Sequence, residues 1–380
     1  MSATRPRGVL VPAGPEGLAA LRPALAAAFH GDGAPVCPLP AEGRLVTATS
    51  AALLRTTLRP DEPSEYNDVV AVVPTSGSTG DPKGVYWTKA SLTHAATAFA
   101  ERFGTGTVVL TLPLTSAAGM MALLRSVIAD TDSVAMSSLG GEHPFTVEDF
   151  VATTEAAAGY AAPLHTSLID EQLRRLLNST DGVAALTRYA CVLVGGGPVG
   201  DTVVRAKEHG IAIHTSYGMT ETCGGCWYDN APLEGVTITT SPDGRLVVSG
   251  PVVSPGYRFR ADAAFLGHSF ITSDLGAVVD GKLTITGRVD DAVKVNGVLV
   301  DLAAVERVVR KITGASAIVA RVRDGLEVVI EADEINTQEV VAAVRDELNA
   351  RLLKIDMAGS GTLPRLPGGK IDIQRVRSAG

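Results

Sequence analysis

The sequence is poor in aromatic residues, in cysteine and in long apolar runs, and each shortage excludes a class of protein. Phe, Trp and Tyr make up 4% of the 380 residues, so stacking platforms for single-stranded nucleic acid are not expected. Four cysteines in a chain of this length form no disulfide framework, which favours a reducing compartment. No apolar run reaches the length of a membrane span, and segment 18–29 is interrupted by Arg22 and Pro23.

The charge pattern argues against a polyanionic partner. The formal net charge is -8 and no basic run stands out, so nucleic acid is not expected to bind, although a few placed groups can still hold a small anionic ligand. The first twelve residues include Arg5, Arg7 and two prolines and lack the apolar core of a secretory leader. We therefore expect a cytoplasmic protein whose ligands are small molecules.

The apolar residues, 46% of the chain, follow an alternation of strand-like and helix-like patterns. Such alternation predicts parallel strands joined by crossover helices, an α/β layer architecture. Strands are predicted over 69–74, 108–112, 189–194 and 211–214. Helices are predicted over 16–30, 90–103, 120–129, 166–177 and 199–209.

The pattern changes after residue 231. Short strands at 236–240, 245–249, 277–279 and 282–286 are separated by Asp-Gly turns, which predicts a small antiparallel subdomain over about 231–287. From residue 290 an α+β pattern follows, with helices at 302–311 and 338–352 and a strand at 326–332. We predict two domains, 1–289 and 290–380.

A loop rich in glycine and hydroxyl groups follows the strand at 69–74. Glycines allow successive backbone N–H groups to point inward as an anion nest, and hydroxyls and a lysine add hydrogen bonds and charge. Pro82 and Gly84 distinguish the loop from a Walker A sequence. The alternatives are a flexible surface loop and a cradle for the phosphates of ATP, which the position after a buried strand favours. The predicted phosphate-binding residues are Thr75, Ser76, Gly77, Ser78, Thr79, Gly80 and Lys83.

Further segments in a fixed order carry a family resemblance. Together with the loop, residues 217–222, 272–274, 287–291 and 363–372 resemble the motifs of the adenylate-forming superfamily, which includes acyl-CoA synthetases, peptide-synthetase adenylation domains and luciferases. The motifs span nearly the whole chain. The resemblance implies an α/β N-terminal domain with a small antiparallel β subdomain, and a small mobile α+β C-terminal domain.

Two segments narrow the resemblance. Residues 164–177 and 217–236 resemble the o-succinylbenzoate–CoA ligases of menaquinone biosynthesis, particularly their compact actinobacterial form. Where such ligases commonly carry a His-rich segment that gates the acyl pocket, residues 114–119 read LTSAAG. Because of this difference, the sequence does not fix which carboxylic acid the enzyme would activate. Another aryl- or acyl-CoA synthetase and an adenylation module that loads a carrier protein remain as alternatives.

The resemblance implies a reaction of ATP, a carboxylic acid and coenzyme A, with Mg²⁺ as cofactor. Two anions must meet in the first step, so positive charge is needed at the reacting phosphate. Lys370 is the implied source of that charge, and Thr220 the implied hydrogen-bond donor to the α-phosphate. Glu221 is the implied Mg²⁺ ligand, since Mg²⁺ prefers oxygen. The alternatives are an exposed surface lysine and a solvated glutamate.

The resemblance also assigns the rest of the nucleotide site. Asp274 would accept the ribose hydroxyls and Arg288 would donate to the ribose, although Asp274 can also cap a turn and Arg288 can be a surface ion-pair partner. Residues assigned to the adenine are Gly195, Gly196 and Gly197 on one side and Ser216, Tyr217 and Gly218 on the other.

The second step requires the thiol of coenzyme A to reach the acyl group. In the resembled superfamily the small domain rotates between the steps, and Asp290 matches the hinge position. Gly297 matches the passage for the pantetheine arm, although Asn-Gly is also an ordinary turn. His165 can be an acid-pocket residue or a structural histidine. The residues predicted for the acid pocket are Ser116, His165, Thr166, Cys223, Gly224 and Gly225.

Two weaker patterns point to other classes of protein. Cys223 and Cys226 form a Cys-x-x-Cys pair, but a structural zinc site needs a second pair, so packing is the favoured interpretation. The glycines at 195, 197 and 200 fit a dinucleotide-binding oxidoreductase, which requires an acidic residue after the next strand. That position holds His214 or Thr215, which weakens the oxidoreductase alternative. A homodimer is the default assembly by frequency alone.

Overall fold

The computed structural model describes eleven segments of the chain: residues 4–42, 48–75, 82–140, 145–160, 162–197, 199–295, 298–315, 317–322, 325–331, 335–347 and 354–358. The helices of these segments are α1 (Gly14–His30), α2 (Ala48–Leu58), α3 (Lys89–Phe103), α4 (Ala117–Ile128), α5 (Val147–Ala157), α6 (Asp170–Leu177), α7 (Thr180–Leu186), α8 (Thr202–Glu208), α9 (Leu302–Thr313) and α10 (Thr337–Glu347). Short 3₁₀ turns occupy Thr220–Thr222 and Val289–Asp291.

The strands belong to five sheets. The first two sheets contain β1 (Arg7–Val11), β2 (Val36–Pro40), β3 (Val69–Thr75), β4 (Lys83–Thr88), β5 (Thr107–Leu110), β6 (Ser133–Ala135), β7 (Leu164–Leu168), β8 (Tyr189–Gly195), β9 (Ile213–Met219), β10 (Gly224–Tyr228) and β11 (Ala231–Pro232). The other three contain β12 (Thr237–Thr240), β13 (Arg245–Ser249), β14 (Phe265–Leu266), β15 (Ser269–Val279), β16 (Lys282–Arg288), β17 (Ala292–Val295), β18 (Val298–Asp301), β19 (Ala317–Val322), β20 (Gly325–Ile330) and β21 (Lys354–Ala358).

The first sheet has the order β1-β2-β3-β4. Strands β1, β2 and β3 run parallel, whereas β4 returns antiparallel to β3. In this register Thr75 pairs with Lys83. The predicted phosphate loop is therefore the connection of a hairpin, and Lys83 is the first residue of the returning strand. Residues 76–81 lie outside the described residues.

The central sheet has the order β11-β10-β9-β8-β7-β5-β6. Five strands of this sheet, β5, β6, β7, β8 and β9, are parallel, which confirms the predicted α/β layer. Strand β10 pairs antiparallel with β9, and β11 pairs antiparallel with β10. Strand β9 is longer than predicted, so that Ser216, Tyr217 and Gly218 are strand residues.

The prediction of one helix over 166–177 was wrong in its first part. Leu164–Leu168 is strand β7, which lies between β5 and β8 in the central sheet. Helix α6 begins only at Asp170, and its buried leucines are Leu173, Leu176 and Leu177. The predicted apolar stripe of this helix included Leu168, which lies in β7, and the other three leucines are on α6. The leucine spacing contained no information on the two neighbouring strands, whose backbone hydrogen bonds hold residues 164–168 extended.

The antiparallel subdomain is present. Strands β12, β13, β15 and β14 form one sheet in that order, and β16 pairs with β15. Strand β15 begins at Ser269, well before the predicted 277, and so includes the whole 272–274 motif. Sequence reasoning also missed β19 and β21, which flank β20 in the last sheet.

Among the described residues, no helix has both the length and the apolar character needed to cross a membrane.

The buried apolar side chains form separate clusters. The largest includes Phe150 of α5, Leu123 of α4 and Trp87 of β4. A second cluster contains residues of 300–344 alone, such as Val305, Val328 and Val344. The division of the chain at residues 289 and 290 stays a prediction, with which a separate apolar cluster beyond residue 300 is consistent.

The close approach of β9 and β10 depends on a glycine at position 218. A Cβ atom at Gly218 would lie 2.0 Å from the carbonyl oxygen of Gly224, which is part of the strand backbone and cannot rotate away. By contrast, a Cβ atom at Gly200 would meet nothing within 4 Å.

We expect Gly218→Ala to lower the free energy of unfolding by roughly 1–3 kcal/mol, because the added methyl group overpacks the β9–β10 contact. Gly200→Ala should change it by less than about 0.5 kcal/mol. Urea denaturation followed by circular dichroism measures both. Equal midpoints for the two variants would contradict the close approach of these strands.

Candidate active site

The nucleotide motifs converge at the carboxyl end of the parallel strands, where ligands of open α/β sheets bind. Gly195, the last residue of β8, pairs with Ser216 on β9. A Cβ atom at Gly195 would lie 2.5 Å from the carbonyl oxygen of Ser216, so the packing of these strands requires glycine there. Gly196 follows with a positive φ of 81°. Three of the predicted adenine-site residues are thus brought together at one end of the sheet.

The predicted ribose residues form one polar network with the predicted adenine and hinge residues. The hydroxyl of Tyr217 donates to Oδ2 of Asp274 at 2.8 Å, and Arg288 forms an ion pair with Asp274. Arg288 also holds Asp290 by two hydrogen bonds of 2.9 and 3.0 Å. Because such a bidentate pair fixes the guanidinium plane, the orientation of Arg288 depends on both carboxylates.

Glu221 is a buried carboxylate on the 3₁₀ turn that follows β9. Its side chain accepts a hydrogen bond from the hydroxyl of Tyr257 at 2.7 Å, and its backbone carbonyl accepts one from Ser254 N–H. Burial raises the pKa of Glu221, while the hydrogen bond from Tyr257 and the charges of Lys83 and Arg288 act in the opposite direction. A buried carboxylate oxygen among these groups has the donor chemistry that Mg²⁺ requires.

Thr220 and Lys83 lie beside this carboxylate. The backbone carbonyl of Thr220 accepts a hydrogen bond from Trp87 Nε1 at 2.7 Å, which joins the 3₁₀ turn to β4. The ammonium of Lys83 lies 4.3 Å above the ring of Tyr257 and 3.6 Å from a carboxylate oxygen of Asp262. The sequence-predicted Thr220, Glu221 and Lys83 are therefore neighbours, at the end of the hairpin whose loop is predicted to hold phosphate.

A cavity of about 340 Å³ lies between α3, α4 and strands β5, β7 and β8. Two of the predicted acid-pocket residues, His165 and Thr166, line it, together with Phe99, Cys191 and Leu193. Its volume and largely apolar wall are typical of a small-molecule site. The exposed rim is formed by residues near the end of α3, among them Thr97, Glu101 and Thr105.

The other predicted pocket residues lie elsewhere. Ser116 caps the N-terminus of α4 by accepting from Gly119 N–H. Cys223 follows the 3₁₀ turn with a positive φ of 53°, and Gly224 and Gly225 begin β10. Cys223 and Cys226 are fully buried free thiols, and burial raises the pKa of both.

Sequence reasoning missed Arg125, which lines the cavity from α4. Its Nη2 donates to the hydroxyl of Tyr228 at 2.7 Å, and its guanidinium lies 3.8 Å from the ring centroid of Phe99. Its Nε is buried and has no hydrogen-bond partner, and no carboxylate of the described residues pairs with it. The sequence feature that could have revealed this residue is a single arginine within the otherwise uncharged helix Ala117–Ile128.

His165 is kept neutral beside this arginine. Burial first, and then the positive charge of Arg125, lower the pKa of His165 to about 4. At neutral pH the uncharged imidazole has one N–H that can donate a hydrogen bond and one ring nitrogen that can accept one. Arg125 is therefore the positively charged neighbour of this neutral histidine in the lining of the cavity. Of the other predicted site residues, Gly197 is among those that the structure describes, as are Asp274 and Asp290. Gly297, Lys370 and the loop residues 76–80 lie outside the described residues.

Comparison with known proteins identifies the family and the fold. The family model described as "AMP-binding enzyme" matches residues 18–247. A protein of Mycobacterium tuberculosis named probable 2-succinylbenzoate–CoA ligase is 37% identical over 238 residues, which is 61% of this chain and 61% of the relative. The chain therefore matches about three-fifths of the length of that relative.

Solved structures share the fold. An o-succinylbenzoate CoA synthetase from Bacillus subtilis, in complex with the acyl-adenylate intermediate OSB-AMP, superposes with a TM-score of 0.74 at 20% identity, over 99% of this chain and 89% of that chain. The amide bond synthetase McbA from Marinactinospora thermotolerans superposes with a TM-score of 0.72 at 20% identity, over 100% and 90%. At 20% identity, this likeness establishes the fold alone.

We expect the stability of the protein to fall from pH 7.5 to pH 5 partly through His165. Its folded pKa lies below the unfolded value of about 6.5, so the unfolded chain binds the extra proton and stability is lost as the pH falls. His165→Asn removes this dependence. The difference in unfolding free energy between the two proteins should shrink by roughly 1–2 kcal/mol over this range. Urea titrations at each pH measure it, and a constant difference would mean that His165 titrates normally.

Proposed function

Since this chain belongs to the family of AMP-binding enzymes, we propose that it is an ATP-dependent acid–CoA ligase that acts through an acyl-adenylate. The favoured acid is o-succinylbenzoate, as in menaquinone biosynthesis. The name of the similar Mycobacterium tuberculosis protein supports the choice of acid. ATP and coenzyme A are the co-substrates and Mg²⁺ is the cofactor.

The observation that carries the choice of acid is the buried, unpartnered Nε of Arg125 in the largely apolar wall of the cavity. A buried N–H without a hydrogen-bond partner is unfavourable, and an anionic ligand group would satisfy it. The apolar wall suits a ring, and the lone cation suits a second carboxylate. An aromatic dicarboxylic acid has both features, whereas a simple fatty acid lacks the second charge.

In the first step, an oxygen of the acid's reacting carboxylate attacks the α-phosphorus of ATP, and the bond to the leaving pyrophosphate breaks. Glu221 would hold the magnesium ion, which when bound neutralises charge on the phosphates. Lys83 contributes positive charge from the neighbouring strand, and Lys370 would contribute it from the C-terminal region. Tyr217 and Asp274 hold the nucleoside, so that the two anions meet in a fixed geometry.

In the second step, the thiolate of coenzyme A attacks the acyl carbonyl carbon and AMP leaves with the bonding electron pair. Under this proposal, Lys370 acts only in the first step. Residues 290–380, which carry it, then move away from the acyl-adenylate so that the thiol can enter. Asp290 is the proposed hinge, and Gly297 the proposed passage for the pantetheine arm. The Arg288–Asp290 pair lies at the start of this moving part.

A screen of pyrophosphate release across aryl and fatty acids, with and without coenzyme A, tests the activity. We expect release with o-succinylbenzoate, and a thioester only when coenzyme A is present. Arg125→Met should raise KM for o-succinylbenzoate by at least tenfold, because the second carboxylate loses its charge partner, and should affect benzoate analogues without that group far less. Arg245→Gln, which alters an exposed ion pair with Asp243, is the control. Equal effects on both acids would exclude Arg125 as the carboxylate receptor.

Lys370→Ala separates the two half-reactions. We expect adenylate formation to fall by a factor of 10² or more, because an electrostatic contact made in the transition state is lost. Thioester formation from chemically supplied acyl-adenylate should remain within a few-fold of the wild-type rate. Rapid-quench measurement of each half-reaction gives both values. Equal loss in both half-reactions would remove the step-specific role of Lys370.

A further inference from the structure

Residues 254–258, here called the clamp segment, are hydrogen-bonded both to the 3₁₀ turn that carries Glu221 and to strand β4, which follows the predicted phosphate loop. Ser254 N–H donates to the backbone carbonyl of Glu221 at 2.8 Å. At its other end, Arg258 N–H donates to the carbonyl of Gly84 at 2.7 Å. Since Gly84 follows Lys83 on β4, the clamp segment sets the position of the 3₁₀ turn relative to the strand that leaves the loop.

Arg258 anchors the clamp segment in the protein interior. Its side chain is 4% exposed, and its guanidinium donates to the carbonyl oxygens of Leu58, Arg59 and Glu62 at 2.7 to 2.9 Å. These carbonyls lie at and beyond the C-terminus of α2, where a positive charge is favourable. The backbone on both sides of Tyr257 is therefore tied down, and the ring has little freedom to move.

The side chain of Tyr257 contacts two charged groups of opposite sign. Its hydroxyl donates to Oε1 of Glu221, and its ring face lies beneath the ammonium of Lys83. Phe265 packs edge-on against the same ring, with the centroids 5.0 Å apart. One rigid side chain thus fixes a carboxylate at its polar end and a lysine at its face, and the lysine contact is a cation–π interaction.

We propose that Tyr257 is a positioning residue that holds Glu221 and Lys83 in the geometry needed to bind a divalent cation together with the phosphates of ATP. The inference rests on the proposed function, since it presumes that Glu221 is the metal ligand. A carboxylate fixed through one oxygen loses little conformational entropy when a cation binds, and outer partners of metal ligands typically contribute 10- to 100-fold in metal affinity. The ring contributes separately, together with the ion pair between Lys83 and Asp262, by keeping the lysine beside the carboxylate of Glu221.

Tyr257→Phe isolates the hydroxyl, because the ring, its packing on Phe265 and its face toward Lys83 all remain. We expect Mn²⁺, titrated against the protein with a non-hydrolysable ATP analogue and followed by electron paramagnetic resonance, to bind about tenfold more weakly. The Mg²⁺ concentration for half-maximal adenylation should rise by the same factor, while KM for ATP at saturating Mg²⁺ stays within twofold. If Tyr257 only stabilised the fold, Tyr257→Phe would not weaken metal binding while leaving KM for ATP unchanged.

Tyr189→Phe is the matched control. It also removes one buried tyrosine hydroxyl, which forms a hydrogen bond with Thr154 away from the site. Its Mn²⁺ affinity should equal that of the wild type. Tyr257→Leu removes the ring as well, and we expect it to raise KM for ATP several-fold in addition, because Lys83 loses its contact with the ring face.

Unchanged Mn²⁺ affinity and Mg²⁺ dependence in Tyr257→Phe, beside an active wild type, would overturn the positioning role and leave the proposed function intact. A wild type that binds Mn²⁺ and ATP but activates no acid would refute the proposed function instead, and the Mn²⁺ titration would still decide the role of Tyr257. Weaker Mn²⁺ binding in Tyr189→Phe to the same degree would also count against it, since the effect would then follow from any lost buried hydroxyl.

Discussion

The burial of Glu221 is the constraint on which the arrangement of the nucleotide site depends. A carboxylate in a poorly solvated position is unfavourable unless donors and cations surround it, and here they come from distant parts of the sequence. Tyr257 supplies a hydrogen bond, and Lys83 and Arg288 supply positive charge. The 3₁₀ turn, the hairpin strand β4 and the antiparallel subdomain must therefore meet at one point. Each provides part of the environment that a single buried charge requires.

A second charged residue, the half-buried Arg125, defines the other candidate site by the opposite means. Glu221 is surrounded by groups that favour its ionised form, whereas Arg125 keeps a buried N–H without a partner and adjoins a histidine that stays neutral. We propose that the first arrangement binds a cation and the second an anionic ligand group. Glu221 lies beyond the carboxyl end of the parallel sheet, and the cavity lies between that sheet and helices α3 and α4. The proposed nucleotide and acid sites therefore have different environments within one fold.

Much of the fold followed from local patterns, and the errors have identifiable causes. Helices α1 and α3 and strands β3 and β8 were predicted within one or two residues, because each is long and has a clear apolar period. Strand β7 was absorbed into the following helix, since its extended form depends on pairing with β5 and β8. Strand β9 was predicted too short, because Tyr217 and Gly218 resemble a loop in composition. In each case the missing information was a contact with residues far away in the sequence.

The sequence alone determined the family, the order of the nucleotide motifs and the chemical type of each candidate group, because short motifs fix which side chains are present and how they are spaced. Tertiary structure alone decided that Tyr257 meets Glu221, 36 residues earlier in the chain, and that Arg125 rather than Ser116 lines the cavity. No local pattern carries such information. A side chain becomes a partner, a wall or a cap according to which strands pair and which faces are buried, and those are set by the packing of the whole chain.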